Sequence, residues 1–371
     1  MPAIPLEIFE AIVANLQDDR ESAVACSLVA SAWLVIARPL FFRVVLTPLN
    51  VDEFISLASH PLSFIPVSLR DLAVTRNWDL IQVETFPELP HVTCLIAHNM
   101  HYSPTQLRPI LAGLPALTNL FLDAIDFDSF LNFTAVVNAF PALELLSLSD
   151  ISWEDLTWEG WPAAGAPAPT LKNLVLKQCY QHDVFSWFLS MPDPPLIAHL
   201  NLSSSVSPSG VPSIAQYLQR VGPQLRTLRL GFESFDAGGD AEDFVKGVNL
   251  EANAAGLKEL WVDSFIGSWE ITQVSTAGKW IIRLLEQLQT APQRVLSLVV
   301  LEICGDVDAQ SCEVNWKRLE KVLIRLDVKV ILRVTTQADG LAKMDKSLAK
   351  KLPKLVAQKT LSIEYVVYTH E

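Results

Sequence analysis

A spaced apolar triplet, Leu-x-x-Leu-x-Leu, returns along most of this chain, and its spacing limits the fold more than any other feature. Clear copies stand at Leu69/Leu72/Val74, Val92/Leu95/Ala97, Leu117/Leu120/Leu122 and Leu143/Leu146/Leu148. They continue at Leu171/Leu174/Leu176, Ile197/Leu200/Leu202, Leu225/Leu228/Leu230 and Leu257/Leu260/Val262. Looser copies follow at Leu298/Leu301/Ile303 and Leu319/Val322/Ile324. The first starts are 23, 25, 26, 28, 26 and 28 residues apart. A unit of that length holds one short strand and one return segment, and it cannot bury its own apolar face. Such units are expected to stack, each covering its neighbour.

The segments between triplets read as helical: 106–114, 130–140, 184–189, 214–221 and 279–288. Pro115, Pro141 and Pro223 stop three of these segments before the next strand. The competing arrangement is an ordinary α/β sheet domain. Strand neighbours point to opposite faces. If Leu174 and Leu176 point into the core, Val175 and Lys177 point out. The same alternation exposes Phe121 and Asp123, Ser147, Asn201, Arg229, Trp261 and Asp263, and Val300 and Glu302. Aromatic side chains set among charged and hydroxyl neighbours are the composition of a protein-binding surface.

The N-terminal stretch has a different pattern. Ile8, Ile12 and Leu16 recur every fourth residue, and Pro5 precedes them where a first-turn proline is tolerated. Asp18 and Glu21 match a capping box for a second helix carrying Val24, Leu28 and Val29. A third segment passes through Trp33 and stops before Pro39. Three short helices bury little by themselves. They either cap the repeats or await another polypeptide.

These residues resemble the F-box family, whose pattern is Leu-Pro-x-Glu-Ile, apolar positions four apart, then Cys-x-x-Val-x-x-x-Trp. Here Ile4-Pro5-Leu6-Glu7-Ile8, Ile12, Leu16 and Cys26 through Val29 to Trp33 follow it, with Ile4 in place of the leucine. The triplet array resembles leucine-rich-repeat proteins. Together the resemblances imply an α/β fold: a three-helix F-box over residues 1–45, a connector over 46–65, and over 66–371 a leucine-rich-repeat horseshoe with an irregular C-terminal cap. In that horseshoe the parallel strands line the concave face and the helices the convex one. They also imply a substrate receptor of a Skp–cullin–F-box ubiquitin ligase. The Skp adaptor would meet Ile4, Pro5, Ile8, Ile12 and Leu16, with Val24, Val29 and Trp33 shared between contact and knot core. A cullin would follow through that adaptor, and an unidentified target protein would lie on the concave face. The alternative is a repeat scaffold outside the ubiquitin system, its N-terminal helices acting as a cap.

Half of the 371 residues are hydrophobic, and the net charge is −13. That charge argues against nucleic acid and anionic membranes as partners. The most apolar stretch, Val295 to Ile303, is far below the roughly 20 residues of a membrane span. Glu7 and Glu10, with no basic segment before an apolar run, do not fit a signal peptide. The five scattered cysteines lack a Cys-x-x-Cys pair, so reduced thiols in cytoplasm or nucleus are expected. No phosphate loop, Gly-x-Ser-x-Gly or His-Glu-x-x-His motif occurs, so neither catalysis nor a cofactor or metal is expected. His98 and His101 read as a surface pair, and Asp236 to Asp243 as a solvated turn. Trp153, Trp158 and Trp161 read as staples for the Pro/Ala-rich loop 162–169, with a grip on a peptide as the other reading. Lys343, Lys346, Lys350, Lys351 and Lys354 read as a solvated helix face, with an acidic partner or a ubiquitination site as the other readings.

Overall fold

The computed structural model describes residues 20–27, 37, 43–75, 84–102, 104–155, 168–232, 239–267, 277–304, 314–336 and 341–367. The chain divides into two compact units, Met1–Thr170 and Leu171–Glu371. In the first, strands β1 (Arg43–Leu46), β2 (Asp71–Thr75), β3 (Cys94–Tyr102), β4 (Asn119–Ser129) and β5 (Leu145–Asp155) lie parallel in chain order. In the second, the same holds for β6 (Asn173–Cys179), β7 (His199–Val206), β8 (Thr227–Phe232), β9 (Glu259–Gly267), β10 (Leu298–Cys304), β11 (Lys329–Thr336) and β12 (Leu361–Val367).

The triplet leucines explain this order. Leu120 pairs in register with Leu95 and Leu146, and Leu228 with Leu200 and Leu260. All six are buried to 3 % exposure or less. Each leucine removed from water contributes roughly 1.5–3 kcal/mol, but only because the next repeat covers it. Seven of the turns that lead into strands grip the preceding repeat in one way. The Thr93 carbonyl accepts both Thr118 N–H (3.0 Å) and Asn119 N–H (2.9 Å), and the Ala198 carbonyl accepts both Arg226 and Thr227 N–H. Carbonyls of Arg70, Thr118, Lys172, Arg226 and Lys258 repeat the arrangement.

Parallel strands need crossovers, and helices provide them where the apolar period predicts: Pro104–Ala112, Phe130–Asn138, Gln181–Ser190, Val211–Val221 and Ala277–Thr290. Phe133 of Phe130–Asn138 stacks on Trp153 of β5 at 5.7 Å and meets Phe127 of β4 edge-on at 5.6 Å. In the second unit Phe185 and Phe188 pack against Tyr217, whose hydroxyl donates to the Pro195 carbonyl.

Three sequence readings change. Leu319/Val322/Ile324 is not a strand but part of the helix Trp316–Leu326. Leu319, Val322, Leu323 and Leu326 are buried while Lys317, Arg318, Lys321 and Arg325 are exposed, a helical period rather than an alternating one. Two strands, β11 and β12, follow it. Second, Gly239–Gly247 is a helix, so part of the expected acidic turn is helical. Third, the strands outrun the triplets. Asn99, Ala124 and Asp150 take φ of +55°, +51° and +52° at equivalent positions of β3, β4 and β5, and pairing resumes at Met100, Ile125 and Ile151. Each strand thus carries one left-handed residue that brings a second apolar pair onto the core side.

Of the docking knot, the helix Arg20–Ser27 is described. Ile4, Pro5, Ile8, Ile12, Leu16, Val29 and Trp33 lie outside the described residues, as do Trp158, Trp161 and Cys312. No helix among the described residues is long and apolar enough to cross a membrane.

Candidate functional site

With the triplet leucines facing the helices, the alternate residues of each strand form an open face. In the second unit the registers set Val175, Asn201, Arg229, Trp261, Val300, Ile331 and Ser362 in one row across β6 to β12. A second row continues with Glu302, Arg333 and Glu364. The sequence places Arg229, Trp261, Asp263 and Glu302 on this face, and the structure gathers them into one cluster with Arg333 and Glu364.

The Trp261 ring is its centre. The Arg229 guanidinium lies 5.7 Å and that of Arg333 5.0 Å from the ring centroid. The indole N–H donates to Glu259 Oε2 at 3.2 Å. Arg229 Nε donates to both carboxylate oxygens of Asp263, at 2.8 and 2.9 Å. That pair is unequal: the Asp263 side chain is 7 % exposed and that of Arg229 32 %. Asp263, expected on the surface, is therefore buried beneath its partner. A carboxylate removed from water needs such a donor. Arg333 reaches Glu364 at 3.5 Å.

Glu302 sits between these groups. Burial raises its carboxyl above the usual carboxylate range, and the Asp263 charge adds to the rise. Arg229, Arg333 and the backbone N–H of Ser264 oppose it. That N–H is available because Ser264 is another left-handed residue, φ +48°. Here the β9–β10 register shifts between Leu301 and Ile303, so the ladder leaves the amide to the carboxylate. Cys304, two residues on, has its thiol raised by burial and by Glu302.

In the first unit Phe121 and Ser147 pair in register and are half-buried. Asp123 is not a free charge: His98 Nδ1 lies 2.6 Å from its Oδ2. His101 Nε2 lies 3.0 Å from Asp128 Oδ1. The two histidines are thus each engaged by an aspartate of the next strand, rather than forming a pair with each other. Cys94 is pushed up to about 11, first by burial and then by Asp71 in the adjoining strand. A thiol so raised stays protonated at neutral pH and is a poor nucleophile. Lys177 is exposed, and Asn201 is turned onto its own strand, accepting the Ser203 N–H at 3.0 Å. No group of three or more metal-ligating side chains occurs among the described residues.

Sequence reasoning missed Arg333 and Glu364, because the triplet count ended in the helix before them. A signal was present: Val328, Val330, Leu332 and Val334 recur at every second position, with Lys329 and Arg333 among the residues between them, the period of a strand. The cluster combines an aromatic face, forked donors and half-buried carboxylates on rigid strands. That is the equipment of a polypeptide-binding surface. No protein-family model matches this sequence, and no curated protein matches it.

Proposed function

We propose that this chain is a non-catalytic substrate-recognition subunit of a Skp–cullin–F-box ubiquitin ligase, acting in cytoplasm or nucleus. The N-terminal residues Ile4, Pro5, Ile8, Ile12 and Leu16 bind the Skp adaptor, with Val24, Val29 and Trp33 completing the knot. The parallel strands line the concave face of a leucine-rich-repeat horseshoe, and that face holds the target. The reading rests above all on the Trp261 cluster: an aromatic anchor between two guanidinium groups, on the side of the sheet that the helices leave open. Val175, Lys177 and Asn201 extend this face within the second unit, and Phe121, Asp123 and Ser147 are the corresponding target-binding residues of the first.

The mechanism is proximity. Tethering target and adaptor on one chain turns an encounter between target lysine and charged ubiquitin carrier into an intramolecular one, which raises its effective concentration. No group of this chain needs to enter the chemistry.

The test is co-purification with the Skp adaptor. The wild-type chain should retain the adaptor, and Ile8→Asp with Ile12→Asp should release it while the thermal unfolding of the repeats is unchanged. Adaptor retention by the double variant would overturn the assignment of the docking residues. Failure of the wild-type chain to bind any Skp adaptor would overturn the ligase reading itself.

A further inference from the structure

Residues 314–359 hold twelve Lys and Arg against four Asp and Glu, a net charge of +8. The whole chain is −13, so the remaining residues together carry −21. Apart from Lys329 and Arg333 of β11 and Lys359 in the following turn, these cations belong to the helices of the last two repeats.

Three helices build it: Trp316–Leu326, Leu341–Lys351 and Pro353–Ala357. They are locked together by polar contacts as well as apolar ones. Glu320 is 6 % exposed, and its Oε1 accepts the backbone N–H groups of Lys354 (2.6 Å) and Leu355 (3.3 Å). The Lys351 ammonium lies 5.6 Å from the Trp316 ring centroid. On this base Lys317, Lys321, Lys346, Lys350, Lys354 and Lys359 are exposed. Three carboxylates beside them are already engaged. Glu320 caps the short helix, Glu286 holds Arg318 through two bonds of 2.8 and 3.0 Å, and Asp345 accepts from the Tyr365 hydroxyl.

Helix dipoles account for only part of this charge: Lys350 and Lys351 close Leu341–Lys351, where a cation is favoured. Lys317, by contrast, stands in the first turn of Trp316–Leu326, at the helix end where a cation is disfavoured. Six exposed ammonium groups without ion-pair partners among the described residues repel one another, and an anionic ligand removes that repulsion.

We infer that this helix surface docks an acidic polypeptide segment of a partner protein. Lys317/Lys321 and Lys346/Lys350 are each four residues apart on one helix, about 6 Å along its axis. Every second residue of an extended peptide recurs at about 7 Å, so alternate carboxylates meet successive lysines. A polypeptide is favoured over nucleic acid or an anionic bilayer because its negative charge ends where the patch ends. A long polyanion or a membrane plane would also face the strongly acidic remainder of the chain.

Fluorescence anisotropy with a labelled (Glu-Ser)6 peptide and the full chain tests this. The peptide should bind at low salt, and (Gln-Ser)6 should not. Affinity should fall about tenfold or more when Lys321→Glu, Lys350→Glu and Lys354→Glu are combined, and should fall with added salt. The triple change to Gln, checked for unaltered thermal unfolding, should also weaken binding and serves if the charge reversals disturb the fold. Undiminished binding by folded triple variants would overturn the proposal. So would no binding of (Glu-Ser)6, or tighter binding to a twelve-nucleotide single strand or to phosphatidylserine vesicles.

Discussion

The Arg333 guanidinium lies 5.0 Å from the centre of the Trp261 ring, although β10 separates their strands. Strands two apart in a sheet are about 10 Å distant. The two side chains must therefore reach towards each other over β10, where Val300 pairs with Trp261 and Glu302 with Arg333. Val300 is 2 % exposed although it stands on the open side. Guanidinium and indole meet over the strand that carries it, which links three strands through one contact.

Arg333→Ala is expected to destabilise the chain by about 0.5–1 kcal/mol, the scale of a cation–π contact at a partly exposed site. Trp261→Ala should cost more, about 2 kcal/mol, because it also uncovers Val300. Urea denaturation measures both. Equal losses would mean that the ring does not shield the valine.

The Arg229–Asp263 pair should respond asymmetrically. Arg229→Ala leaves a 7 %-exposed carboxylate without its donor, and should cost about 3 kcal/mol. Asp263→Ala leaves a guanidinium that is one-third exposed and can take up water, and should cost closer to 1 kcal/mol. A double-mutant cycle gives both values and their coupling. The reverse order would contradict the burial difference between the two partners.

Glu302 predicts a pH dependence of definite sign. Its carboxyl is raised by burial first and by Asp263 second. The folded chain therefore holds this proton to a higher pH than the unfolded chain does. As pH rises from the ordinary carboxylate range through the raised value, this group removes stability, and the loss is complete above it. Glu302→Gln keeps an acceptor for the Ser264 N–H and does not ionise. The variant should melt at a higher temperature than wild type at neutral pH, and the gap should close towards pH 4. A gap that widens on acidification would show the opposite linkage.

The leucine triplets made the strand order legible because each copy repeats both an apolar spacing and a burial requirement. Leu120, Leu146 and Leu228 could be placed on the core side from sequence alone. The left-handed residues could not. Asn99, Ala124, Asp150, Gln178 and Ser264 share a conformation but no residue type, and only the three-residue step from Leu122 to Ile125 hinted at them. The cluster was half visible. Alternation exposes Trp261 and Arg229, whereas the Arg229–Asp263 bond depends on how β8 registers against β9. Arg333 was hidden because an amphipathic helix imitated a tenth triplet.

Ala124 supplies a test of the left-handed step. Asn and Asp tolerate this conformation through local side-chain hydrogen bonds, but alanine has none to offer, and its Cβ is strained there by about 1–2 kcal/mol. Glycine relieves the strain while losing some entropy on folding. Ala124→Gly should therefore stabilise the chain by about 0.5–1 kcal/mol, and Ala124→Val should destabilise it. Thermal unfolding reads both, and a destabilising glycine would refute the strain argument.

Gly256 marks where one repeat presses on another. A Cβ built there would lie 1.8 Å from the Pro223 carbonyl oxygen and 2.9 Å from that of Leu225, so backbone rather than a flexible side chain would have to move. That backbone is held. Gly256 N–H donates to the Asn253 carbonyl at 2.9 Å, and the Asn253 amide donates to the carbonyls of Leu218 and Gly222 at 2.8 and 2.9 Å, in a fully buried position. Gly256→Ala is expected to cost about 3 kcal/mol or more, at the upper end for overpacking. Gly210→Ala is the matched control, because its Cβ would meet nothing nearer than 3.4 Å, and it should stay within about 0.5 kcal/mol of wild type. Similar midpoints for the two variants in urea would mean that the turn before β9 yields freely, and that the repeats are not clamped at this point.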